Sequence, residues 1–301
     1  MNSLEAYEKD IELQLDFLKI FSKQKPLSEK QQKTTLFSGS GDSLVSAMLA
    51  ESFSNGLVSI FDPLDLYKNK HLVKSKNVYF VSISGNTITN IKVAKVAKKA
   101  IAITSKLDSR LAKVSDKIIL LSAPNSGIFT AGSVSFLESA LTCISLVTSF
   151  TLTQNSKLLL KAKSDAKKFS VSKRIFILGT LFTYPLAMYC AAKFYEILGY
   201  DAHYARIEQF SHMELFSSKK GDTVIIFEED NTHNKQLVSN LKKIGINVIH
   251  PQIPSKKINQ MLYCTFFSQL LPLYEAKKKR KKDCYFVLAK DIRNVSNNMI
   301  Y

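Results

Sequence analysis

The sequence has few of the features that mark secreted and membrane proteins. Its 301 residues include only four cysteines, which lie far apart and form no short paired spacing. Buried thiols are therefore expected, rather than disulfides or a zinc site. No apolar run approaches the roughly 20 residues that span a bilayer, because serine and threonine interrupt the longest candidate, residues 141–152. The sequence predicts a protein without a membrane span.

The pattern of the first residues does not predict a targeting peptide. Residues 1–21 contain acids throughout, and their apolar residues follow helical spacing, which predicts a helix rather than a signal or transit peptide. Together with the unpaired cysteines, this favours a cytoplasmic protein.

Acidic residues are fewer than basic ones: the sequence has 25 Asp and Glu and 42 Lys and Arg, which gives a net charge of +17. The basic run 277–282 invites a nucleic-acid interpretation. The other lysines are scattered, however, and no nucleic-acid motif accompanies the run. We favour a solvated basic face, with attraction of an anionic substrate as the next interpretation and a nucleic-acid partner as the least favoured.

Short β-branched or aromatic runs alternate with helical or turn-rich segments along the whole chain. This alternation predicts an α/β fold of two doubly wound, flavodoxin-like domains, each with a parallel sheet and flanking helices. The polar, lysine-rich residues 154–172 predict a linker helix between a first domain (1–153, with the N-terminal helix) and a second domain (173–301, with a C-terminal tail). The repeated pattern suggests an internal duplication. The predicted strands are 34–37, 57–61, 78–82, 100–104, 117–121, 174–178, 202–205, 223–227 and 247–250.

Two loops at predicted strand ends carry the residue types of an anion site. In the loop 38–43, glycines allow close backbone approach to a ligand before a predicted helix. The loop matches neither the dinucleotide fingerprint nor the P-loop, and it can equally be a simple turn. The loop 82–87 precedes a predicted helix over 88–99 and offers hydroxyls and amides to a phosphate monoester without any lysine or arginine. Its alternative interpretation is a helix cap made by Ser84 or Thr87.

The loop Ser-Ile-Ser-Gly-Asn-Thr after a parallel strand resembles the phosphate loop of sugar isomerase (SIS) domains. The segment 125–133 is similar to a further loop of that family, which closes over the sugar. Val134 stands where the glucosamine-synthesising members usually carry lysine. The resemblance implies that a phosphosugar contacts the following residues: Gly39, Ser40, Ser82, Ser84, Gly85, Asn86, Thr87 and Ser133.

The second half resembles the isomerase half of glucosamine-6-phosphate synthase over Lys193, Glu196 and His212. Glu196 and His212 lie sixteen residues apart, an interval shared with archaeal bifunctional phosphoglucose/phosphomannose isomerases. On the predicted helix 184–198, Tyr189, Lys193 and Glu196 form a stripe beside the apolar face. A partly desolvated glutamate there can move a proton between C1 and C2 through a cis-enediol, with Lys193 holding it. The alternative is a structural Lys–Glu pair.

Two further residues are candidates for opening the sugar ring. His212 can shuttle the necessary proton, because histidine is a common acid and base in proteins, although a lone histidine is often structural. By resemblance, Lys290 reaches the active site and stabilises charge on O1 or O2. The alternative is an exposed lysine, and the tail beyond it is longer than in the synthases.

The favoured function is a phosphosugar aldose–ketose isomerase acting on a hexose 6-phosphate of the fructose 6-phosphate class. The resemblance implies a homodimer with its site near the interface, and neither a cofactor nor a metal. Three alternatives remain open: an aminating or deaminating relative of glucosamine-6-phosphate synthase without a glutaminase domain, a non-catalytic phosphosugar sensor, and a nucleic-acid binder.

Overall fold

A computed structural model describes residues 1–301, which form two compact units. The five-strand unit consists of residues 19–125, 132–150 and 290–301, and the four-strand unit of residues 1–18, 126–131 and 151–289. Each unit contains one parallel sheet with flanking helices. The predicted α/β class with parallel sheets is confirmed. None of the helices has the length and apolar character needed to cross a membrane.

The five-strand unit has its strands at Thr35–Ser38 (β1), Ser59–Phe61 (β2), Asn77–Val81 (β3), Lys99–Thr104 (β4) and Lys117–Leu120 (β5). Its helices are Glu29–Gln32 (α2), Asp42–Phe53 (α3), Pro63–Lys68 (α4), Ile88–Ala94 (α5), Val134–Ser145 (α6) and Lys290–Ile300 (α13). The strand order is β2-β1-β3-β4-β5. Because β1 and β3 are neighbours, with Ser38 opposite Phe80, the loops 38–43 and 82–87 leave the same edge of the sheet.

Helices cover both faces of this sheet. Tyr79 and Val81 pack on one face, where the Tyr79 ring stacks on Phe37 with centroids 5.0 Å apart. The alternate residues Val78 and Phe80 pack on the other face, as the two-residue repeat of a strand requires. Burying each such side chain contributes about 1.5–3 kcal/mol. The edge that carries the two loops is therefore rigidly supported.

The helix predicted over 88–99 is shorter than expected. It ends at Ala94, and β4 begins at Lys99. Val93 and Ala94 are the last buried apolar residues of the helix, whereas Val96 is 37% exposed. The Lys98 amide already donates to the Val73 carbonyl at 3.1 Å. The chain leaves the helix early because it must reach the register of the next strand.

The four-strand unit has its strands at Arg174–Gly179 (β6), Asp201–Arg206 (β7), Thr223–Phe227 (β8) and Asn247–Ile249 (β9). The α1 helix, Ser3–Ile20, enters this unit, which also contains Asn155–Lys168 (α7), Tyr184–Leu198 (α8), Ile207–His212 (α9), Thr232–Lys243 (α10), Lys257–Lys278 (α11) and Tyr285–Leu288 (α12). The strand order is β7-β6-β8-β9. All nine predicted strands are thus present, with shifted ends.

All four cysteines are buried and unpaired, which confirms the prediction of buried thiols. Burial raises the pKa of Cys190 to about 12 and raises that of Cys143 still further. Both thiols are therefore protonated and unreactive near neutral pH.

Asp165 on α7 accepts three hydrogen bonds, one of which joins α7 to α11. Its carboxylate accepts from Lys161 Nζ at 2.6 Å, Lys168 Nζ at 2.9 Å and the Tyr263 hydroxyl at 2.8 Å. Burial acts to raise the pKa of Asp165, but the three donors outweigh it, so the pKa lies below its usual value. The ionised form therefore stabilises the fold.

Replacing Asp165 with asparagine is expected to lower the free energy of unfolding at neutral pH by about 1–3 kcal/mol, because charge-assisted bonds are lost. The contribution is present above the unfolded carboxyl pKa of about 4 and disappears as pH falls through the lower folded value. Urea unfolding at neutral and acidic pH measures both effects. The exposed Asp108→Asn serves as the control, and a neutral-pH loss no larger than that of the control would contradict the assignment.

Candidate functional site

The loop 82–87, which we call the serine loop, follows the buried strand β3 directly. Gly85 has φ +62°, and a Cβ there would lie 2.2 Å from Ser109 Oγ, so only glycine is compatible with this backbone. The Gly85 amide donates to the Ser82 carbonyl at 3.0 Å, and the Leu111 amide donates to the Gly85 carbonyl at 2.9 Å. These bonds hold the loop in a tight, fixed turn.

The hydroxyls of the serine loop lie close together. Ser82 Oγ and Thr87 Oγ1 are 3.3 Å apart, and Ser84 Oγ accepts from the Asn86 amide at 3.3 Å. Thr87 occupies the N-cap of α5, yet its side chain makes no capping hydrogen bond. The Thr87 side chain therefore does not act as a helix cap, in contrast to the alternative interpretation. The loop retains donor capacity that the fold does not use.

The loop 38–43 forms a second turn at the same edge. A Cβ on Gly39 would lie 2.8 Å from the Ser43 backbone, so the loop passes very close to the start of α3. Gly41 has φ +58° at the N-cap of α3, a conformation that glycine adopts without strain. Ser40 between them is exposed.

Ser133 lies beside a residue that the sequence interpretation did not single out. A Cβ on Gly132 would come within 2.6 Å of Asp42 Oδ2, so the Asp42 carboxylate packs against the backbone that leads into Ser133. Ser133 is 2% exposed, and its hydroxyl has no hydrogen-bond partner. A buried, unpaired hydroxyl is costly and marks a position that a ligand can satisfy. The sequence signal that could have identified Asp42 was its position at the start of α3, after the turn that contains Gly39 and Gly41.

Another carboxylate missed by the sequence interpretation fixes the segment after β5. Glu138, in the otherwise uncharged helix α6, accepts from the amides of Ser122 at 2.8 Å and Ala123 at 2.9 Å. Burial raises the pKa of Glu138, and the two amides partly offset it. This glutamate supports the chain that runs towards Ser133 and is not itself a candidate for catalysis.

Lys193 and Glu196 form an ion pair at the edge of the core on α8. The distance from Lys193 Nζ to Glu196 Oε2 is 2.5 Å, with the lysine side chain fully buried and the glutamate side chain 32% exposed. Lys193 Nζ also lies 4.8 Å from the centre of the Tyr189 ring. The lysine therefore holds the carboxylate in place while leaving it partly open to solvent.

Hydrogen bonds from two other helices fix the Tyr189 ring that Lys193 contacts. Gln269 on α11 donates to the Tyr189 hydroxyl at 2.9 Å, and Gln14 on α1 donates to Gln269 at 2.7 Å. All three side chains are fully buried. A fully satisfied buried network fixes the orientation of the ring on which Lys193 rests.

Burial raises the pKa of the Cys284 thiol, and the negative charge of Glu196 raises it as well. The start of α1 anchors this segment: the Cys284 amide donates to Ser3 Oγ at 2.9 Å, and Ser3 Oγ donates to Asp283 at 2.8 Å. The N-terminal helix thus secures the chain beside the carboxylate. Nothing in the sequence pattern links residues so far apart.

The two remaining catalytic candidates lie at helix ends. His212 is the last residue of α9, and Lys290 is the first residue of α13. Both side chains are exposed. Their assignment to ring opening stays a prediction.

Solved structures with the same fold include several phosphosugar enzymes. Glucosamine-6-phosphate deaminase from Thermotoga maritima superposes with a TM-score of 0.71 at 17% identity, covering 93% of this chain and 95% of the other. The C-terminal domain of glucosamine-fructose-6-phosphate aminotransferase from Francisella tularensis gives 0.67 at 17%, covering 94% and 95%. Tagatose-6-phosphate ketose/aldose isomerase from Escherichia coli gives 0.62 at 15%, covering 90% and 91%. At this identity the likeness establishes the fold.

Comparison at the sequence level gives no match. No family model matches the chain, and no curated protein matches it either.

Proposed function

We propose that this chain is an aldose–ketose isomerase of a hexose 6-phosphate in the fructose 6-phosphate class. The observation that carries the proposal is the Lys193–Glu196 pair, in which a buried ammonium holds a partly exposed carboxylate at 2.5 Å. This arrangement supplies one ionised base in a defined place, and moving a proton between two neighbouring carbons needs such a base. The fold likeness to phosphosugar enzymes supports the substrate class.

The serine loop binds the phosphate in this proposal. Ser82, Ser84 and Thr87 donate hydroxyl hydrogen bonds, and the backbone around Gly85 comes close to the anion. Neutral donors are sufficient for a dianion, because hydrogen bonds to a charged acceptor are roughly twice as strong as those to a neutral one. The net charge of +17 adds a favourable long-range field. The loop 38–43 and Ser133 contact the sugar.

Proton transfer is the chemical step. Glu196 removes the proton from C2 of the aldose, and the electrons shift to the C1 carbonyl oxygen to give the cis-enediolate. A proton moves from O2 to O1, and the same carboxyl then returns its proton to C1 as O2 becomes the carbonyl oxygen of the ketose. Lys193 holds the carboxylate and remains protonated. His212 shuttles the proton that opens the ring, and Lys290 stabilises the charge on O1 or O2. No step requires a cofactor.

A second candidate is amination or deamination of the same sugar phosphate. It is favoured by the fold likeness to a glucosamine-6-phosphate deaminase and to an aminotransferase domain. The Asp42 carboxylate beside Gly132 is a group that can attract an ammonium. The two candidates share the phosphate loop and the base, and they differ in their need for ammonia.

Three further features belong to the proposal. The sequence repeat suggests two SIS-type domains at 1–153 and 173–301 with a linker helix at 154–172, whereas by their contacts residues 1–18, 126–131 and 151–172 belong to the four-strand unit. A homodimer and a cytoplasmic location follow from the resemblance and the thiol pattern. Size-exclusion chromatography with light scattering tests the dimer.

Product analysis tests the reaction class. The purified protein is incubated with fructose 6-phosphate alone and then with ammonium added, and the sugar phosphates are identified by proton NMR. Formation of glucose or mannose 6-phosphate without ammonium is expected. Product formed only with ammonium would select the second candidate, and binding without any product would indicate a sensor.

A further inference from the structure

A second crevice lies in the four-strand unit, at the carboxyl ends of β6 and β8. A cavity of about 570 Å³ opens there. Its wall combines the apolar Ile207 with the carboxylates of Glu208 and Glu228, the imidazole of His233 and four neutral polar side chains: Thr180, Ser211, Asn231 and Asn234. The serine loop and the Lys193–Glu196 pair do not line this cavity, so the proposed function leaves it without a role.

The cavity lies at the point of the sheet where the strand order reverses. β6 is the first strand of its sheet, with β7 on one side and β8 on the other. The chain therefore reverses its direction of strand addition at β6, as it does at β1 in the five-strand sheet. Open α/β sheets bind ligands outside the carboxyl ends of the strands at such switch points. The β6–β8 crevice corresponds to the β1–β3 crevice that carries the serine loop.

The two crevices differ in charge, because the serine loop is uncharged and the loop after β8 is acidic. After β3 the chain continues with the hydroxyls and amides of the serine loop, whereas after β8 it continues with Glu228, Glu229 and Asp230. Glu208 on α9 adds a further carboxylate to the cavity wall. Like charges repel more strongly in a crevice than in open water. A phosphate is therefore disfavoured at the β6–β8 crevice, and a cationic group is favoured.

Glu228 is held in a fixed position. Its Oε1 accepts hydrogen bonds from the hydroxyls of Thr180 and Thr183, the latter at 3.2 Å. Thr183 is itself fixed, because its hydroxyl accepts from the Thr180 amide at 2.9 Å, and His250 Nε2 lies 2.9 Å from the Glu228 carbonyl. Both hydroxyls use Oε1, so Oε2 keeps its capacity to accept. A preorganised carboxylate binds a cation at a lower entropic cost than a mobile one.

The remaining polar groups favour an organic ammonium over a metal ion. No group of three or more His, Cys, Asp or Glu side chains is arranged as a metal site. Asn231 accepts from the Asn234 amide through Oδ1 at 2.8 Å, which leaves its NH2 group as a donor, and Ser211 supplies a hydroxyl on the cavity wall. The Asn231 and Ser211 side chains can form hydrogen bonds with hydroxyls of a ligand, and Ile207 can contact its carbon chain.

We propose that the β6–β8 crevice is a second binding site, which takes a small polyhydroxylated primary amine without a phosphate. The ammonium binds Glu228, and the hydroxyls of the ligand bind Ser211 and Asn231. The site shares no residue with the serine loop or with the Lys193–Glu196 pair, and its nearest approach to the proposed isomerase machinery is Ser211, which directly precedes His212 on α9.

Isothermal titration calorimetry with D-glucamine and D-sorbitol tests this site. The two probes differ only in an ammonium in place of a hydroxyl. At neutral pH we expect saturable, one-site binding of glucamine, with sorbitol binding at least about tenfold more weakly. Glucose 6-phosphate should not compete. No saturable binding of glucamine, or equal binding of the two probes, would overturn the proposal.

Two matched variants locate the site. Glu228→Gln is expected to weaken glucamine binding at least about tenfold, because it removes the charge but keeps an acceptor for both threonines. Glu229→Gln makes the same chemical change at the next residue, which does not line the cavity, and should leave binding unchanged. Equal binding by both variants would overturn the proposal, and if Glu228→Gln fails to fold, the sorbitol comparison decides. Ser84→Ala with Thr87→Ala should keep glucamine binding, which separates this site from the proposed function.

Discussion

Replacing Glu196 with glutamine is expected to reduce turnover of the hexose 6-phosphate by about 10³- to 10⁴-fold, with the substrate Kd changed by no more than about threefold. Glutamine has the same shape as glutamate but cannot accept the proton from C2. The phosphate contacts, which account for most of the binding energy in the proposal, lie in the serine loop and are unaffected. Steady-state turnover and direct titration of fructose 6-phosphate measure the two quantities.

The variant also removes the charge that faces Lys193, whose side chain is fully buried. An uncompensated buried ammonium destabilises a protein, so a lower melting temperature is expected as well. Lys193→Met combined with Glu196→Gln should recover stability without recovering turnover. Glu29→Gln breaks an exposed Lys–Glu pair and is the control for surface charge. Full turnover by a folded Glu196→Gln protein would exclude Glu196 as the base.

Replacing Ser84 and Thr87 together with alanine is expected to raise the Kd for hexose 6-phosphates about a hundredfold. Two hydroxyl hydrogen bonds to a charged phosphate are lost, and a total of about 3 kcal/mol corresponds to that factor. The free energy of unfolding should fall by no more than about 1–2 kcal/mol, because Thr87 does not cap α5 and only the two 3.3 Å hydrogen bonds with Ser82 and Asn86 are lost. Binding of the unphosphorylated sugar should be unaffected, which makes fructose against fructose 6-phosphate the informative comparison.

A matched control lies at the opposite edge of the same sheet. Thr34 and Ser75 are exposed hydroxyl residues before β1 and β3, so Thr34→Ala with Ser75→Ala removes the same two functional groups far from the loops. This control should bind as the unmodified chain does. Unchanged phosphosugar affinity in the Ser84 and Thr87 variant would remove the serine loop as the phosphate site.

The regular elements were predictable because their signals are local. Every predicted strand is present, and α8 has the predicted bounds, since Pro185 lies in its first turn and Gly199 adopts a left-handed conformation at its end. The stripe of Tyr189, Lys193 and Glu196 was predictable from helical spacing alone. The loop after β3 was also placed correctly, because a glycine-rich turn follows a buried strand.

Tertiary contacts were beyond the reach of local patterns. The early end of α5 at Ala94 depends on the register of β4. The Asp42 approach to Gly132 and the anchoring of Cys284 by Ser3 join residues far apart in sequence. The acidic crevice at Glu228 was missed because a run of acids after a strand is typical of a solvated loop, and only the fold places it at a switch point.

Deuterium exchange tests the central claim, that Glu196 moves a proton between C1 and C2 of a phosphosugar. Fructose 6-phosphate is incubated with the protein in deuterated water without ammonium and followed by proton NMR. We expect deuterium at C2 of the glucose or mannose 6-phosphate product, and no exchange with the Glu196→Gln protein. Saturable binding of fructose 6-phosphate with no exchange, or exchange that persists in the variant, would exclude Glu196 as the group that moves the proton.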